Sequence, residues 1–257
     1  MPVKEEIKLG PERLGLSERD IMYLLIFREL HNQSASPSDI FEVVRAELSN
    51  IQRGRARSYF YNVVSQMESF GWITTIRTEN KNNKKYYAIT SDGYAKIDSF
   101  KESCMDTMKS LKSMADHFDF HISGTGKSEP IQLNTQQRKM FNRLINVRHL
   151  IRFLFLKILT EAEHRQESGK KVWLLFKERY EWQPAQGYYY EVLREMEVDQ
   201  GYVTGKWTTD RRSTYIYQIT SHGLESIASE AETTLHFVRQ LQHYTRFILN
   251  LFPDRNS

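Results

Sequence analysis

A single cysteine in 257 residues, Cys104, excludes an internal disulfide and any multi-cysteine metal site. It falls on a helical apolar stripe, where a thiol serves as a small core residue, and such cysteine use fits a reducing cytoplasm. Long apolar runs are missing too. The most apolar stretch, Leu150 to Leu159, contains Arg152 and Lys157 and is far short of the roughly 20 residues that a membrane-spanning helix needs. Met1 to Gly10 mixes charges with single apolar residues, so no secretory leader is read there. The eight histidines are scattered, with no HExxH spacing. Gly124-Thr125-Gly126-Lys127-Ser128 has part of a phosphate-loop composition but not its full spacing, and no strand pattern precedes it. These absences point to a cytoplasmic protein that is not an enzyme and carries no cofactor or metal. Charge of one sign is also scarce: the net charge is +4, so its distribution matters more than its sum.

What the chain does have is an ordinary globular balance, 40% hydrophobic and 26% charged, and an internal repeat. The run Tyr59 to Glu68, YFYNVVSQME, is matched by Tyr188 to Glu197, YYYEVLREME, at an offset of 129. Gly71-Trp72-Ile73-Thr74 pairs with Gly201-Tyr202-Val203-Thr204, and Tyr87 to Gly93 with Tyr217 to Gly223, both at 130. The one-residue step comes from an extra residue before Gly201. Upstream the match weakens: Ile21 and Leu24 align with Ile151 and Leu154, and Ile40, Phe41 and Val44 align with Val172, Trp173 and Phe176 at an offset of 132. A nearly constant offset across separate blocks implies a duplicated domain of about 105 to 120 residues.

Each copy reads alike. Ser17, followed by Glu18 and Asp20, caps a helix with apolar residues from Ile21 to Leu30. Ser36-Pro37-Ser38-Asp39 opens a second helix carrying Ile40, Phe41, Val44 and Leu48. After a polar stretch, Ser49 to Arg57, a third helix carries Tyr59, Val63, Val64 and Met67 and ends near Gly71. Period two then takes over, with strands at Trp72 to Ile76 and Tyr86 to Thr90 around a polar turn. Trp207 to Ser213 is the corresponding turn of the second copy. Each copy ends in a long helix, with Ile97, Phe100, Cys104, Met108, Leu111, Ala115 and Phe118 in one stripe and Leu224, Ala228, Ala231, Leu235, Val238, Leu241, Ile248 and Phe252 in the other. Such stripes call for a partner helix. They suit a homodimer or an intramolecular pseudo-dimer equally. The expected fold class is mainly α with small β-hairpins (α+β). The layout is a tail at 1–15, a first domain at 16–120, a linker at 121–133, a second domain at 134–252 and a tail at 253–257. Three helices followed by a hairpin is the element order of a winged helix-turn-helix, so two such domains stand in tandem, each followed by a long C-terminal helix.

The pattern Tyr61, Val64, Met67-Glu68, Gly71, Trp72-Ile73, Tyr87, Ile89-Thr90 and Gly93 resembles the PadR family of bacterial transcriptional regulators. Tyr190, Leu193, Met196-Glu197, Gly201, Tyr202-Val203, Tyr217, Ile219-Thr220 and Gly223 repeat it. The matched segments cover roughly a quarter to a third of the chain. The resemblance implies winged helices, C-terminal dimerisation helices and repression at a palindromic operator. It also implies effector-responsive relatives, which leaves a small aromatic effector open. Phe153, Phe155, Trp173, Phe176, Trp182 and Trp207, concentrated in the second copy, are core at helical spacing or the lining of such a pocket. Family members usually carry one such domain per chain, whereas this chain carries two.

In helix-turn-helix proteins the N-terminal end of the recognition helix enters the major groove. Here it carries Arg53, Arg55, Arg57, Ser58, Tyr59, Tyr61 and Asn62, with Lys81, Lys84 and Lys85 on the wing. Arginines suit phosphates and guanine edges, and hydroxyls and amides suit backbone or base contacts. From Arg53 to Lys85 seven bases face two acids, a local excess larger than the whole chain's. In the second copy Tyr188, Tyr189, Tyr190, Lys206, Arg211 and Arg212 are the candidates, but from Gln186 to Arg212 four bases face five acids. Lys170, Lys171, Lys177 and Arg179 partly offset that deficit. The expected partner is double-stranded DNA and the expected activity transcriptional regulation. The alternatives are a plasmid replication or partition protein, and a winged-helix protein-interaction scaffold. Charge reversal at Arg55 and Arg57 is expected to weaken duplex binding more than reversal at Arg211 and Arg212; fluorescence anisotropy on one duplex with both variants checks the order.

Overall fold

A computed structural model describes residues 16–51, 57–79, 83–128, 131–208 and 214–253, with the side chains of residues 46 and 48–51 also left aside. The chain is mainly helical with two small antiparallel sheets. It divides into two compact units, one made of residues 1–109 and 244–257 and the other of residues 110–243.

In the first unit α1 (Glu18–Asn32) is the core element. Ser17 caps it: the Asp20 amide donates to Ser17 Oγ at 3.1 Å and the Ser17 amide donates back to Asp20 Oδ2 at 2.8 Å. Ile21 to Phe27 are all buried, so the helix is covered on nearly every side. α2 (Pro37–Ile51) starts where the Ser-Pro pair requires, with proline at the first helical position. α3 (Arg57–Ser69) buries Phe60, Val63, Val64 and Met67 and leaves its other side open. β1 (Ile73–Glu79) and β2 (Lys84–Ile89) pair antiparallel, with a register shift between Thr75 and Arg77. The strands extend farther toward the turn than the alternation indicated. α4 (Ser91–Ser123) follows; its residues through Lys109 belong to this unit.

The second unit begins within α4 and adds α5 (Thr135–Leu144), capped by Asn134, a helix that the sequence pattern did not mark. α6 (Val147–Glu161) is its core helix, with Leu150, Ile151, Phe153 to Leu156, Ile158 and Leu159 buried. α7 (Gly169–Tyr180) and α8 (Gln186–Val198) follow. A short strand, β3 (Gln166–Ser168), pairs with β5 (Tyr215–Ile219), which also pairs with β4 (Val203–Trp207). In the first unit this third strand shrinks to a single bridge, Ala35 to Tyr87. α9 (Ser221–Asn250) closes the series. Of the second-copy aromatics, Phe153, Phe155, Phe176 and Trp182 are buried in the core, and the half-buried Trp173 indole donates to the Pro184 carbonyl at 3.2 Å. Trp207 alone of that set is exposed.

Each unit pairs parts of the two long helices. In the first, Lys101 Nζ on α4 donates to the carbonyl of Pro253, three residues past the end of α9, at 2.9 Å. In the second, Gln242 donates to Asp116 at 2.8 Å and Arg239 lies 3.3 Å from Asp119. The α4 stripe from Ile97 to Phe118 is buried within the chain, as are Val238, Leu241 and Ile248 in α9 and the following Phe252, whereas Leu224, Ala231 and Leu235 are half-buried and Ala228 is exposed.

The repeated Gly and Thr positions now have a cause. Gly71 and Gly201 hold φ of 71° and 65°, the left-handed geometry that ends a helix. The next amide returns to the helix, Trp72 to the Met67 carbonyl and Tyr202 to the Met196 carbonyl, so the extra residue before Gly201 is taken up inside the turn. Thr90 Oγ1 donates to the Gly71 carbonyl and Thr220 Oγ1 to the Gly201 carbonyl. A Cβ on Gly93 would lie 2.1 Å from the Trp72 oxygen, and one on Gly223 2.1 Å from the Tyr202 oxygen. Since backbone cannot yield cheaply, Gly93→Ala and Gly223→Ala are expected to destabilise by about 1–3 kcal/mol. Gly187→Ala, with nothing within 4 Å, is expected to be neutral or to stabilise by up to about 1 kcal/mol. Urea denaturation followed by circular dichroism separates the two outcomes.

Candidate nucleic-acid interface

The open side of α3 is set by what its other side buries. With Phe60, Val63, Val64 and Met67 inside, Arg57, Ser58 and Asn62 are exposed and Tyr59 and Tyr61 half-buried. Arg57 is braced by aromatic rings: its guanidinium donates to the Tyr61 hydroxyl at 3.2 Å and sits 5.5 Å from the Phe41 ring and 5.6 Å from the Tyr61 ring. Stacking holds such a group without neutralising it. Arg19, on α1, was not among the sequence candidates. Its hydrogen bond to the Tyr59 hydroxyl raises its pKa further and places a second arginine beside this face.

The hairpin stands next to α3 and is tied to it by acids that a charge count treats as mere deductions. Glu68, in the last turn of α3, accepts from the Thr75 hydroxyl on β1 and the Tyr87 hydroxyl on β2, both at 2.9 Å. Lys85 Nζ lies 3.6 Å from the same carboxylate. Lys84 Nζ lies 3.0 Å from Asp39, on α2, whose other oxygen accepts from the Ser36 hydroxyl at 2.7 Å. Arg77 lies 4.1 Å from the Tyr86 ring and 3.5 Å from Glu79. Lys84, Lys85 and Arg77 thus each have an acid neighbour, and of the three acids only Asp39 comes from outside the segment. Arg53, Arg55 and Lys81 lie outside the described residues, as do Arg211 and Arg212.

The second unit corrects one expectation. Tyr189 is fully buried, its hydroxyl donates to the Gly169 carbonyl at 2.8 Å, and burial pushes its pKa well above the ordinary value. It is a core residue and cannot touch a duplex. The helical period explains the error: of three successive tyrosines, one must point inward. Tyr190 is exposed and Tyr188 half-buried, while Lys206 is exposed on β4. A hydrogen bond to Tyr188 raises the pKa of Arg148, repeating the Arg19–Tyr59 arrangement. Here, however, acids surround the arginines. Arg148 lies 3.2 Å from Glu195 and 3.8 Å from Glu191, and Arg152 lies 3.1 Å from Glu195. Two of the four offsetting bases are engaged as well, Lys171 with Glu167 and Arg179 with Glu161. Those pairs line a polar groove of about 660 Å³ that also borders His164, Lys206 and Trp207.

Among the described residues, no group of three or more histidine, cysteine, aspartate and glutamate side chains is placed to hold a metal ion. No described helix is long and apolar enough to cross a membrane. The buried Cys104 thiol is pushed up to about 11 by desolvation and donates to the Phe100 carbonyl, the behaviour of a core residue. No protein-family model matches the chain, and no curated protein matches it in sequence. The crystal structure of Bacillus subtilis PadR in complex with operator DNA aligns with 91% of this chain and 99% of its own, at 16% identity and a TM-score of 0.27. A likeness that distant fixes neither fold nor partner.

The hairpin's acid anchors carry a pH signature. The Ser36 hydroxyl and then Lys84 hold the Asp39 carboxyl below its ordinary value. Burial alone would raise Glu68, but the Tyr87 and Thr75 hydroxyls and Lys85 outweigh it and lower its pKa. A depressed carboxylate stabilises the fold above its unfolded pKa, near 4, and loses that contribution as pH falls through the folded value. Hairpin amide protection is therefore expected to hold from pH 7 to about 4.5 and to drop below that range. The double variant D39N/E68Q should flatten the drop; hydrogen exchange at several pH values, corrected for intrinsic rates, measures both.

Proposed function

We propose that this chain is a sequence-specific double-stranded DNA-binding transcriptional regulator, acting as a repressor, built from two tandem winged helix-turn-helix domains in one chain. The observation that carries the reading is the open face of α3. Arg57, Ser58, Tyr61 and Asn62 point away from the core beside a lysine-bearing hairpin tied to the same helix. In this reading α3 enters the major groove, where arginine and asparagine suit base edges, and the β1–β2 hairpin is the wing. α8 and the β4–β5 hairpin are the second reader. It grips less, because Arg148 and Arg152 are engaged by Glu191 and Glu195. The long helices supply each domain with its partner helix, so one chain can present two readers to one site.

Selecting bound duplexes from a genomic fragment pool at two salt concentrations tests the reading. Promoter sites should be enriched, and binding should weaken steeply with salt. Arg57→Ala should cost about 1–3 kcal/mol if it reads a base, whereas Lys84→Ala should lower the salt slope by about 1. Enrichment of iterated origin repeats would move the reading to a replication or partition protein. Retention of no duplex at low salt would leave a protein-interaction scaffold.

A further inference from the structure

We infer that Glu68 is a positioning residue for duplex binding: it fixes the wing to the recognition helix and so sets where Lys84 and Lys85 stand beside the open face of α3. The inference rests on the DNA-binding reading above. Its geometric basis is specific. Thr75 and Tyr87 are directly paired across the two strands, and Glu68 takes one hydroxyl from each, one per carboxylate oxygen. That pair adjoins the register shift between Thr75 and Arg77, where the hairpin bends. A single carboxylate on the helix therefore grips both strands at the bend. Lys85, 3.6 Å away and half exposed, is a looser neighbour. An exposed pair of this kind is worth little, so Lys85 can exchange Glu68 for a phosphate at small cost while the two hydroxyl bonds stay in place.

The comparison within the chain shows why the first hairpin needs this strut more. In the second unit Glu197 also ends the helix and accepts from a strand hydroxyl, Tyr215 at 2.7 Å. The residue across from Tyr217 is Gly205, which has no hydroxyl, and the Tyr215 ring folds over it toward Glu197. There the hairpin gains a third strand, β3, paired over Gln166 to Ser168. The first hairpin has only the bridge from Ala35 to Tyr87 in that place. With less sheet to hold it, its bearing on α3 depends on the carboxylate.

The test compares Glu68→Ala and Glu68→Gln in the full chain, alone and combined with K84A/K85A, on a duplex the wild type binds. Glu68→Ala should weaken binding about tenfold and lower the salt slope by about 1, the weight of one phosphate contact. Glu68→Gln keeps an amide oxygen for Tyr87 or Thr75 and should restore most of the affinity. In the K84A/K85A background Glu68→Ala should have no further effect. If both Glu68 variants tighten binding, Glu68 is only a charge opposing phosphate and the inference fails. If Glu68→Ala is as costly without the lysines, its role is general stability and the inference fails. Hydrogen exchange without DNA gives an independent reading: Glu68→Ala should speed exchange in β1–β2 and leave α1 unchanged. Unchanged hairpin exchange, with wild-type duplex binding intact, would overturn this inference alone. A wild type that binds no duplex would overturn the functional reading itself.

Discussion

The peptide unit at Trp72 is where the first unit's working parts meet. Its amide closes the end of α3 on the Met67 carbonyl, and its carbonyl accepts from the Thr90 amide at the start of α4. β1 leaves from it and β2 returns beside it. Gly93 must pass so close to that carbonyl that no Cβ fits. A shift of this one peptide would move the helix, the hairpin and the long helix together. The side chain serves the same end: the Trp72 ring meets Tyr23 edge-on at 5.1 Å and lies 6.2 Å from Phe27, both on the buried α1. Tyr202 occupies the same junction in the second unit, with Thr220 and Gly223 in the corresponding roles.

That junction also explains which parts of the structure were legible in the sequence. Gly71, Thr90 and Gly93 stand out in the repeat because backbone geometry dictates them, and backbone geometry tolerates few residue types. Helix starts at Ser17 and Ser36-Pro37 were readable for the same local reason. β3 was not, since three residues paired to a distant strand leave no periodic trace. α5 leaves little periodic trace because its stretch carries few apolar residues, Phe141 and Leu144 being the buried ones. At the candidate site, Arg57, Ser58, Tyr61 and Asn62 could be placed from the helical period. The same period, applied strictly, would have assigned Tyr189 to the core. Arg19 and Arg148 lie far in sequence from the tyrosines they meet, and only the fold joins them.

Electrostatics shows most clearly the difference between counting charges and placing them. The segment from Arg53 to Lys85 is rich in bases, yet Lys84 and Lys85 each stand by an acid, from α2 and α3 respectively. Exposed pairs of this kind contribute little stability. Their consequence is geometric, because they hold the hairpin's cations near the helix at small cost, ready to exchange one anion for another. Arg57 is held differently, against the Phe41 and Tyr61 rings, which fix its direction and leave its charge available.

The second unit shows the opposite use of the same residue types. Arg152 is only 11% exposed and Glu230 only 6%; they lie 3.8 Å apart, and His149 meets Glu230 at 2.7 Å. Arg152 and Arg148 both reach Glu195 on α8. Removing one partner of such a cluster would leave a buried charge uncompensated, which is far more costly than losing an exposed pair. The cluster therefore joins α6, α8 and α9 within this unit. Arg152 is held inside in this way, whereas Arg148, 40% exposed, lies at the surface beside Glu191 and Glu195. The first unit ties α1 to α2 in a similar way, through Arg28 with Glu29 and Glu47, but there the pairing leaves Arg57 and Arg19 on the α3 side outside the acid cluster, whereas in the second unit Glu195 takes both Arg148 and Arg152.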